Sequence, residues 1–366
     1  MLNPYAPEGI WVKVNLHMHT SRSDGRWEPG AAIAAYRRDG YQAVAVTDHD
    51  LLFDPAKEPS VDNPPAPGVQ AGGGSVASTA GVSQTAAGQV GQSDAGLLVI
   101  PGQEVHLGAD RLDRCEYHIV GLGTSSAIRR QRTGQEAVDA IRAQGGLALL
   151  CHPLWSDMRQ EEMDAIRGCV AVEVWNGVCE RLLGRGNSVF YWDSYLSRFD
   201  PQPLSPVVRE PHHPEQSRRD EPPRPLWGVA VDDTHRYPDD VGSGWVWVQL
   251  GERPAGGRPF TVDALLAALR RGAFYSSQGP RIETVLLEGH RLVVHTSSAV
   301  AVRFVGSGGR VWSRVTGAHV KSAEYDIAGD ERYVRVEVED RSGRVAWSNP
   351  IWVAPLEGSL RLSGHA

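Results

Sequence analysis

Between Asn15 and Gly25 the chain reads Asn-Leu-His-Met-His-Thr-Ser-Arg-Ser-Asp-Gly, which puts two histidines and a carboxylate at a strand end and in the loop that leaves it. Trp11 to Val14 alternates as a strand does, and side chains two apart on a strand share a face, so His17 and His19 can reach one metal ion. Asp24 lies between Ser23 and Gly25, in turn-forming sequence from which its carboxylate can fold back towards the strand end. Imidazole nitrogen together with carboxylate oxygen suits zinc, manganese or iron better than calcium. Taken singly, His-x-His fits a pair of ordinary polar residues equally well.

The elements that would position such a site follow in order. Pro29 to Gly40 is rich in helix formers and closes on a glycine. Gln42 to Thr47 is a short apolar strand running into Asp48-His49-Asp50. Leu97 to Gly102 delivers Glu104 and, two residues on and on the same face, His106; Cys115 to Gly121 is a strand carrying His118. A helix over Thr133 to Gln144 precedes the strand Leu147 to Leu150, which ends in Cys151-His152-Pro153. A short helix near Gln160 to Arg167 and the strand Val170 to Val174 lead to Trp175-Asn176-Gly177, and Trp227 to Val231 ends in Asp232-Asp233-Thr234-His235. Strand and helix alternating in this way predict a parallel α/β fold, where functional side chains collect at the carboxyl ends of strands.

The 366 residues suffice for one barrel-sized domain and a smaller one. A net charge of −7 argues against affinity for nucleic-acid polymers, which calls for a basic face. Cys115, Cys151, Cys169 and Cys179 contain no Cys-x-x-Cys pair, so a reducing cytoplasm is expected. Neither a leader-like basic-then-apolar start nor an apolar run of membrane-spanning length is present, so no membrane partner is expected. Two stretches, about 54–95 and 201–225, are rich in small or Pro and Arg residues and read as flexible insertions, the first a candidate lid.

In their order, His17-Met18-His19-Thr20 with Ser23-Asp24-Gly25, Thr47-Asp48-His49, Gly102-Gln103-Glu104, His118, His152-Pro153 and Asp233-Thr234-His235 resemble the motifs of the PHP superfamily, the polymerase and histidinol phosphatase metallohydrolases. The resemblance spans about residues 11–250 and implies a distorted (β/α)7 TIM-like barrel holding two to three divalent metal ions, zinc, manganese or iron, in its mouth. By position it implies that His17, His19, Glu104 and Asp233 hold one metal, with Glu104 bridging to a second on His118 and His152, and that Asp24, His49 and His235 hold a third. Asp24, His49, Asp233 and His235 would then take the catalytic roles. The family often has histidine where Asp24 stands, and the aspartate form resembles its small-nucleotide phosphatases. The superfamily's Asp-x-His pattern selects Asp233 over Asp232, leaving Asp232 as a residue that orients ligands.

Substrate contacts are expected from Arg22 in the first loop, from His106 on the Glu104 face, and from Asn176 at a strand end; Asn176 could instead bond a ligand. Cys151 is expected to pack away from His152, because neighbours on a strand face opposite ways. His212, His213, His290, His295, His319 and His365 are expected at the surface. The barrel is expected over 1–261, and from 262 a helix, a turn-rich link at 272–280 and period-two strands suggest a small antiparallel β-sandwich of accessory role. Ala346-Trp347-Ser348-Asn349-Pro350 and the Gly-x-Phe-Tyr-x-Ser-x-Gly-Pro segment before this module resemble the carbaryl-hydrolase branch of the superfamily.

The expected chemistry is hydrolysis of a small molecule by a metal-bridging hydroxide, since divalent cations acidify a bridging water and neutralise the attacked oxygen. A phosphoester is the first expectation and a carbamate, ester or amide the second. A non-catalytic metal-binding module is the reading from another class, and it fits poorly because such modules tend to lose ligands, whereas all nine positions here carry metal-competent side chains.

Overall fold

The computed structural model describes residues 3–6, 8–58, 97–107, 117–199, 225–251 and 260–353. The two expected insertions lie almost wholly outside these residues, as do Cys115, His212, His213 and His365; His290, His295 and His319 are exposed, as expected. In order, the elements are β1 (Ile10–Asn15), α1 (Pro29–Arg38), β2 (Ala43–Ala45), β3 (Leu98–Ile100), β4 (Gly102–His106), β5 (His118–Leu122), α2 (Gly134–Ala143), β6 (Leu147–Leu150), α3 (Gln160–Ala165), β7 (Ala171–Asn176), α4 (Gly177–Leu183), α5 (Val189–Arg198), β8 (Trp227–Val231) and β9 (Trp245–Leu250). Then follow α6 (Val262–Arg271), β10 (Phe274–Ser277), β11 (Ile282–Glu288), β12 (Arg291–Val305), β13 (Val311–Asp326), β14 (Tyr333–Glu339), β15 (Val345–Ser348) and β16 (Ile351–Trp352). No helix among the described residues is long and apolar enough to cross a membrane.

Local chemistry accounts for the helices. In α2, Thr133 and Glu136 form a reciprocal capping box, and Ala137, Val138 and Ile141 fall on one buried face. In α6, Thr261 caps the start and Gly272, at φ 78°, supplies the left-handed residue that ends it.

The strands form two sheets rather than the closed (β/α)7 barrel expected from the sequence. One runs β11-β12-β14-β15-β10-β9-β1-β2-β3, with β13 added beside β12 and β16 beside β14; the other runs β4-β5-β6-β7-β8. Among the named strands, β1-β2-β3 and β6-β7-β8 pair in parallel, while β4-β5, β5-β6 and β1-β9 are antiparallel. The faces of the two sheets share one apolar core, with Val14, Leu16 and Val246 meeting Val120, Leu149 and Val229.

Side chains do at one seam what a strand ladder would do in a closed barrel. Ser276 Oγ in β10 accepts from Ala230 N–H and donates to Gly228 O in β8, both at 2.8 Å, and Asn349 Oδ1 accepts from Gly228 N–H at 3.0 Å. Buried main-chain polar groups need partners, and these hydroxyl and amide groups satisfy the edge of β8 without a ladder. Towards the carboxyl ends the sheets approach more closely. His19 N–H donates to Thr234 O at 2.8 Å, Asp233 N–H to His17 O at 3.0 Å, and Asp50 N–H to Glu104 O at 2.8 Å. The ligand-bearing segments are thus tied to one another by their own backbones.

The link at 272–280, read from sequence as turn-rich, contains β10, which pairs antiparallel with both β9 and β15. The C-terminal strands are therefore hydrogen-bonded into the first sheet, and they also pack an apolar core of their own around Val294, Phe304 and Val336. In β10, Ser276 and Ser277 are buried strand residues. Across this junction Arg335 of β14, 1% exposed, donates to both carboxylate oxygens of Asp193 in α5 at 2.8 and 2.7 Å, and also to Glu337. Replacing Arg335 by Ala leaves Asp193 buried without its counter-charge, which is expected to cost about 3–5 kcal/mol in urea unfolding, whereas the apolar pair Arg335→Met with Asp193→Leu should recover most of that loss. A cost for Arg335→Ala below about 1 kcal/mol would show that the pair does not hold the junction.

Candidate metal centre

The His17 and His19 rings leave the end of β1, where Leu16 and Met18 are buried on the alternate face. The loop beyond them is fixed by Asp48, whose carboxylate accepts from Thr20 N–H at 2.7 Å, Thr20 Oγ–H at 2.7 Å and Ser23 Oγ–H at 2.7 Å. Glu104 comes from β4, His118 from the start of β5, His152 from just after β6, and Asp233 and His235 from the segment after β8. His152 and Asp233 take φ values of 26° and 55°, conformations that side chains other than glycine seldom adopt outside constrained sites.

Four ligand atoms surround one point. His17 Nε2 lies 3.1 Å from His19 Nε2, 3.3 Å from Glu104 Oε2 and 3.3 Å from Asp233 Oδ1, and His19 Nε2 lies 3.1 and 3.2 Å from the same two oxygens. A tetrahedral site with bonds of about 2.0–2.1 Å spaces its ligand atoms about 3.3 Å apart, so these distances fit a bound cation. Glu104 Oε2, Asp233 Oδ1 and His49 Nδ1 are buried with no hydrogen bond of their own. Such atoms normally have a partner, and a metal ion supplies one.

The other oxygen of Glu104 faces a second group. Glu104 Oε1 lies 2.9 Å from His118 Nδ1 and 3.4 Å from His152 Nε2. His49 Nδ1 is 3.1 Å from Glu104 Oε2, and a compact group is formed by His49, Glu104 and His118. A further group joins Asp24, His49 and His235: Asp24 Oδ2 is 3.6 Å from His49 Nε2 and 3.2 Å from His235 Nε2. His19 belongs to both clusters, with Nδ1 3.4 Å from Asp24 Oδ1. His49 therefore faces the Glu104 cluster through one nitrogen and the Asp24 cluster through the other.

Charge dominates the protonation of these groups. Burial would depress the His17 imidazole, but Asp233, Glu104 and Glu173 outweigh it and hold its pKa well above the usual histidine value. Burial is likewise overcome at His19, where the neighbouring Asp233 and Glu104 carboxylates raise the pKa to about 10. Glu104 is held well below the carboxylate range, against burial, by His118 and His17, and Asp233 is lowered, also against burial, chiefly by His17 and His19. His118 moves the other way: burial lowers it despite Glu104.

The remaining expected residues divide. Asn176 donates to Asp233 Oδ2 at 3.0 Å and Glu173 Oε2 at 2.9 Å and caps α4 through Cys179 N–H, so it touches ligand-bearing side chains. His106 stacks on His49 at 4.1 Å between ring centroids and bonds Asp50 at 3.0 Å, at the rim of the clusters. Arg22 is paired with Glu58 at 2.5 Å. Asp232 accepts from Tyr36, Tyr41, Ser243 N–H and Gly244 N–H, anchoring the loops behind the site rather than bonding a ligand side chain, and burial raises its pKa to about 6. Cys151 differs from the opposite-face expectation. The turn at His152 breaks strand alternation, so Cys151 comes within ligand range of Glu104 and His152, although burial raises its thiol pKa well above normal.

Glu173 was not among the sequence candidates. It is fully buried in β7, with Oε1 2.7 Å from His17 Nδ1. Its signal was an acidic residue inside the apolar run Val170 to Val174. Trp155 was also missed; its ring stands edge-on to His152 at 4.8 Å.

No protein-family model matches the chain, and no curated protein matches it. Similar solved structures include a two-domain protein containing a predicted PHP-like metal-dependent phosphoesterase from Bacteroides vulgatus, at 14% identity and TM-score 0.43, with 96% of each chain covered. Another is a putative metal-dependent phosphoesterase from Bifidobacterium adolescentis, at 14% identity and TM-score 0.35, covering 72% of this chain and 98% of that one. A third is an amidohydrolase from Chromobacterium violaceum, with bound sulfate and no metal, at 14% identity and TM-score 0.34, covering 62% of this chain and 89% of that one.

Ligand nitrogens must lose their protons to bind a cation, so uptake of manganese or zinc at pH 7 is expected to release at least one proton and to tighten as pH rises towards the His19 value of about 10. Calorimetric titration in buffers of different ionisation enthalpy reads this directly. Equal apparent enthalpies in all buffers would contradict the protonation assigned to these imidazoles.

Proposed function

We propose that the chain is a metal-dependent hydrolase acting on a small phosphorylated molecule. The observation that carries this reading is Glu104, a buried carboxylate whose two oxygens face two different sets of histidines while one oxygen lacks a hydrogen bond. A carboxylate so placed is suited to bridging cations, and two to three ions of zinc, manganese or iron suit the nitrogen and oxygen donors around it. His17, His19, Glu104 and Asp233 are the proposed ligands of the first ion. His118 and His152 are proposed for a second, sharing Glu104, and Asp24, His49 and His235 for a third. When bound, such cations acidify a water molecule and neutralise negative charge on the attacked group.

The chain's own residues orient that chemistry. His235 Nδ1–H donates to Asp233 O at 2.8 Å, which turns Nε2 towards Asp24. The Asp24 side chain is 53% exposed, more open than the other carboxylates of the centre. Asp24 Oδ2 and His235 Nε2, 3.2 Å apart, are thereby presented together to the third proposed ion. Leu16, Met18, Val231 and their neighbours seal the floor, which strengthens electrostatic interactions within the centre.

Several positive charges converging on one anion favour a phosphoester over a neutral carbonyl. The second reading, a carbamate, ester or amide, draws on the rim: Trp27, Tyr237 and Val241 line a small cleft beside His19 and His235, a surface suited to an apolar substituent. The Ala346 to Pro350 segment does not discriminate between the two, because Asn349 is occupied in bonding Gly228, Gly272 and Phe274 far from the ligands.

Purified protein should contain two to three equivalents of zinc, manganese or iron. His17→Ala and Asp233→Ala should each lower kcat/KM by more than about a hundredfold while far-UV circular dichroism is retained, a larger loss than removal of an outer partner causes. Manganese- and zinc-loaded protein should turn over p-nitrophenyl phosphate, bis-p-nitrophenyl phosphate or nucleoside monophosphates. Turnover confined to p-nitrophenyl acetate and an aryl N-methylcarbamate would replace the phosphoesterase reading with its rival. Absence of metal, with no activity restored by manganese or zinc, would remove both.

A further inference from the structure

We infer that Glu173 is a positioning residue that fixes which nitrogen of His17 is offered to a metal; the inference rests on the metal-centre reading above. Glu173 is fully buried in β7, one strand away from β6 and β8, and its carboxylate has three contacts. Oε1 lies 2.7 Å from His17 Nδ1, and Oε2 accepts from His152 N–H at 2.8 Å and from Asn176 Nδ2–H at 2.9 Å. The His152 backbone N–H and the Asn176 side-chain NH2 can only donate, so Oε2 is committed as an acceptor. Oε1, the carboxylate's other oxygen, lies 2.7 Å from Nδ1 and accepts from His17 Nδ1–H. When a cation displaces the other ring proton, the lone pair is thereby left on Nε2, the nitrogen that faces His19, Glu104 and Asp233.

The same carboxylate reaches the other ligands. Through its bond to the His152 amide it holds the backbone where φ is 26°, and through Asn176, which also donates to Asp233 Oδ2 at 3.0 Å, it supports Asp233. One buried acceptor thus orders ligands contributed after β1, β6 and β8.

Replacement by glutamine separates tautomer control from shape. In Glu173→Gln the new side chain has the same size but only one acceptor oxygen. With that oxygen kept on the His152 and Asn176 donors, its amide NH2 faces His17 Nδ1, which must then accept. The proton moves to His17 Nε2 and blocks the nitrogen needed for the metal. Alanine would leave the tautomer unconstrained, so Glu173→Gln is expected to be the more damaging of the two for metal affinity despite its closer fit.

The test is manganese affinity of the full-length chain, read by electron paramagnetic resonance of free manganese, for wild type, Glu173→Gln, Glu173→Ala, His17→Ala and the double variant His17→Ala with Glu173→Gln. Glu173→Gln should raise Kd by about ten- to a hundredfold, the range for outer partners of metal ligands. It should do so by more than Glu173→Ala, and by less than about threefold when His17 is already absent. An unchanged Kd in folded Glu173→Gln, or an equal effect in the His17→Ala background, would overturn the assignment while leaving the hydrolase reading intact. Wild type that binds no manganese would instead overturn that reading and this inference together. Should Glu173→Gln fail to fold, long-range proton–nitrogen spectra of the zinc-loaded wild type decide: His17 is expected protonated at Nδ1 and bound through Nε2, and the reverse arrangement refutes the proposal.

Discussion

A carboxylate taken out of water must have its charge and its oxygens answered, and Glu104 sets that requirement for the whole centre. It is 1% exposed, and histidines from five separate positions approach it: His17, His19, His49, His118 and His152. Leaving such an anion unpaired in an apolar interior would be far more costly than any single packing defect. The strands around it are arranged so that imidazoles reach it from each side, and the pKa of Glu104 is held down by His118 and His17 in spite of burial. Protonated imidazoles can meet this need in the metal-free chain, and cations can meet it with better geometry.

Holding those histidines still is the work of the surrounding polar groups. Asp48 ties the first loop, Glu173 and Asn176 support His17 and Asp233, and Asp232 anchors the segment after β8 through Tyr36 and Tyr41. The C-terminal strands contribute at a distance. By pairing β10 with β9 and lending Ser276 and Asn349 to β8, they complete the edge of the sheet from which Asp233 and His235 project. Fold and centre are thus coupled by hydrogen bonds as much as by the apolar core.

Most of the clustered side chains were legible in sequence as local events: His17, His49, His152 and Asp233 closely follow short apolar strands, whereas Glu104 and His118 lie within β4 and β5 and Asp24 in a loop. The strand at Ala171–Asn176 and the helix at Gly134–Ala143 were likewise readable from periodicity and capping. Glu173 escaped because it lies in mid-strand, where a charged residue is identified as functional only by what faces it across the core. Closure of the strands was not legible either. It depends on whether β8 finds a ladder partner or the side chains of Ser276 and Asn349, a contact between segments 46 and 121 residues apart. The same holds for β10, whose serines suit a turn and a buried strand equally, and for β13, whose exposed, polar residues gave no apolar alternation. Even the division of His49 between two clusters is a matter of ring placement that spacing along the chain does not encode.

The most direct measurement of the central claim is the location of bound metal. Crystals grown with manganese and examined by anomalous scattering should show a peak within bonding distance of His17 Nε2, His19 Nε2, Glu104 Oε2 and Asp233 Oδ1, with a second across Glu104 beside His118. Anomalous density absent from this cluster in metal-saturated crystals, or present only on residues outside it, would contradict the claim.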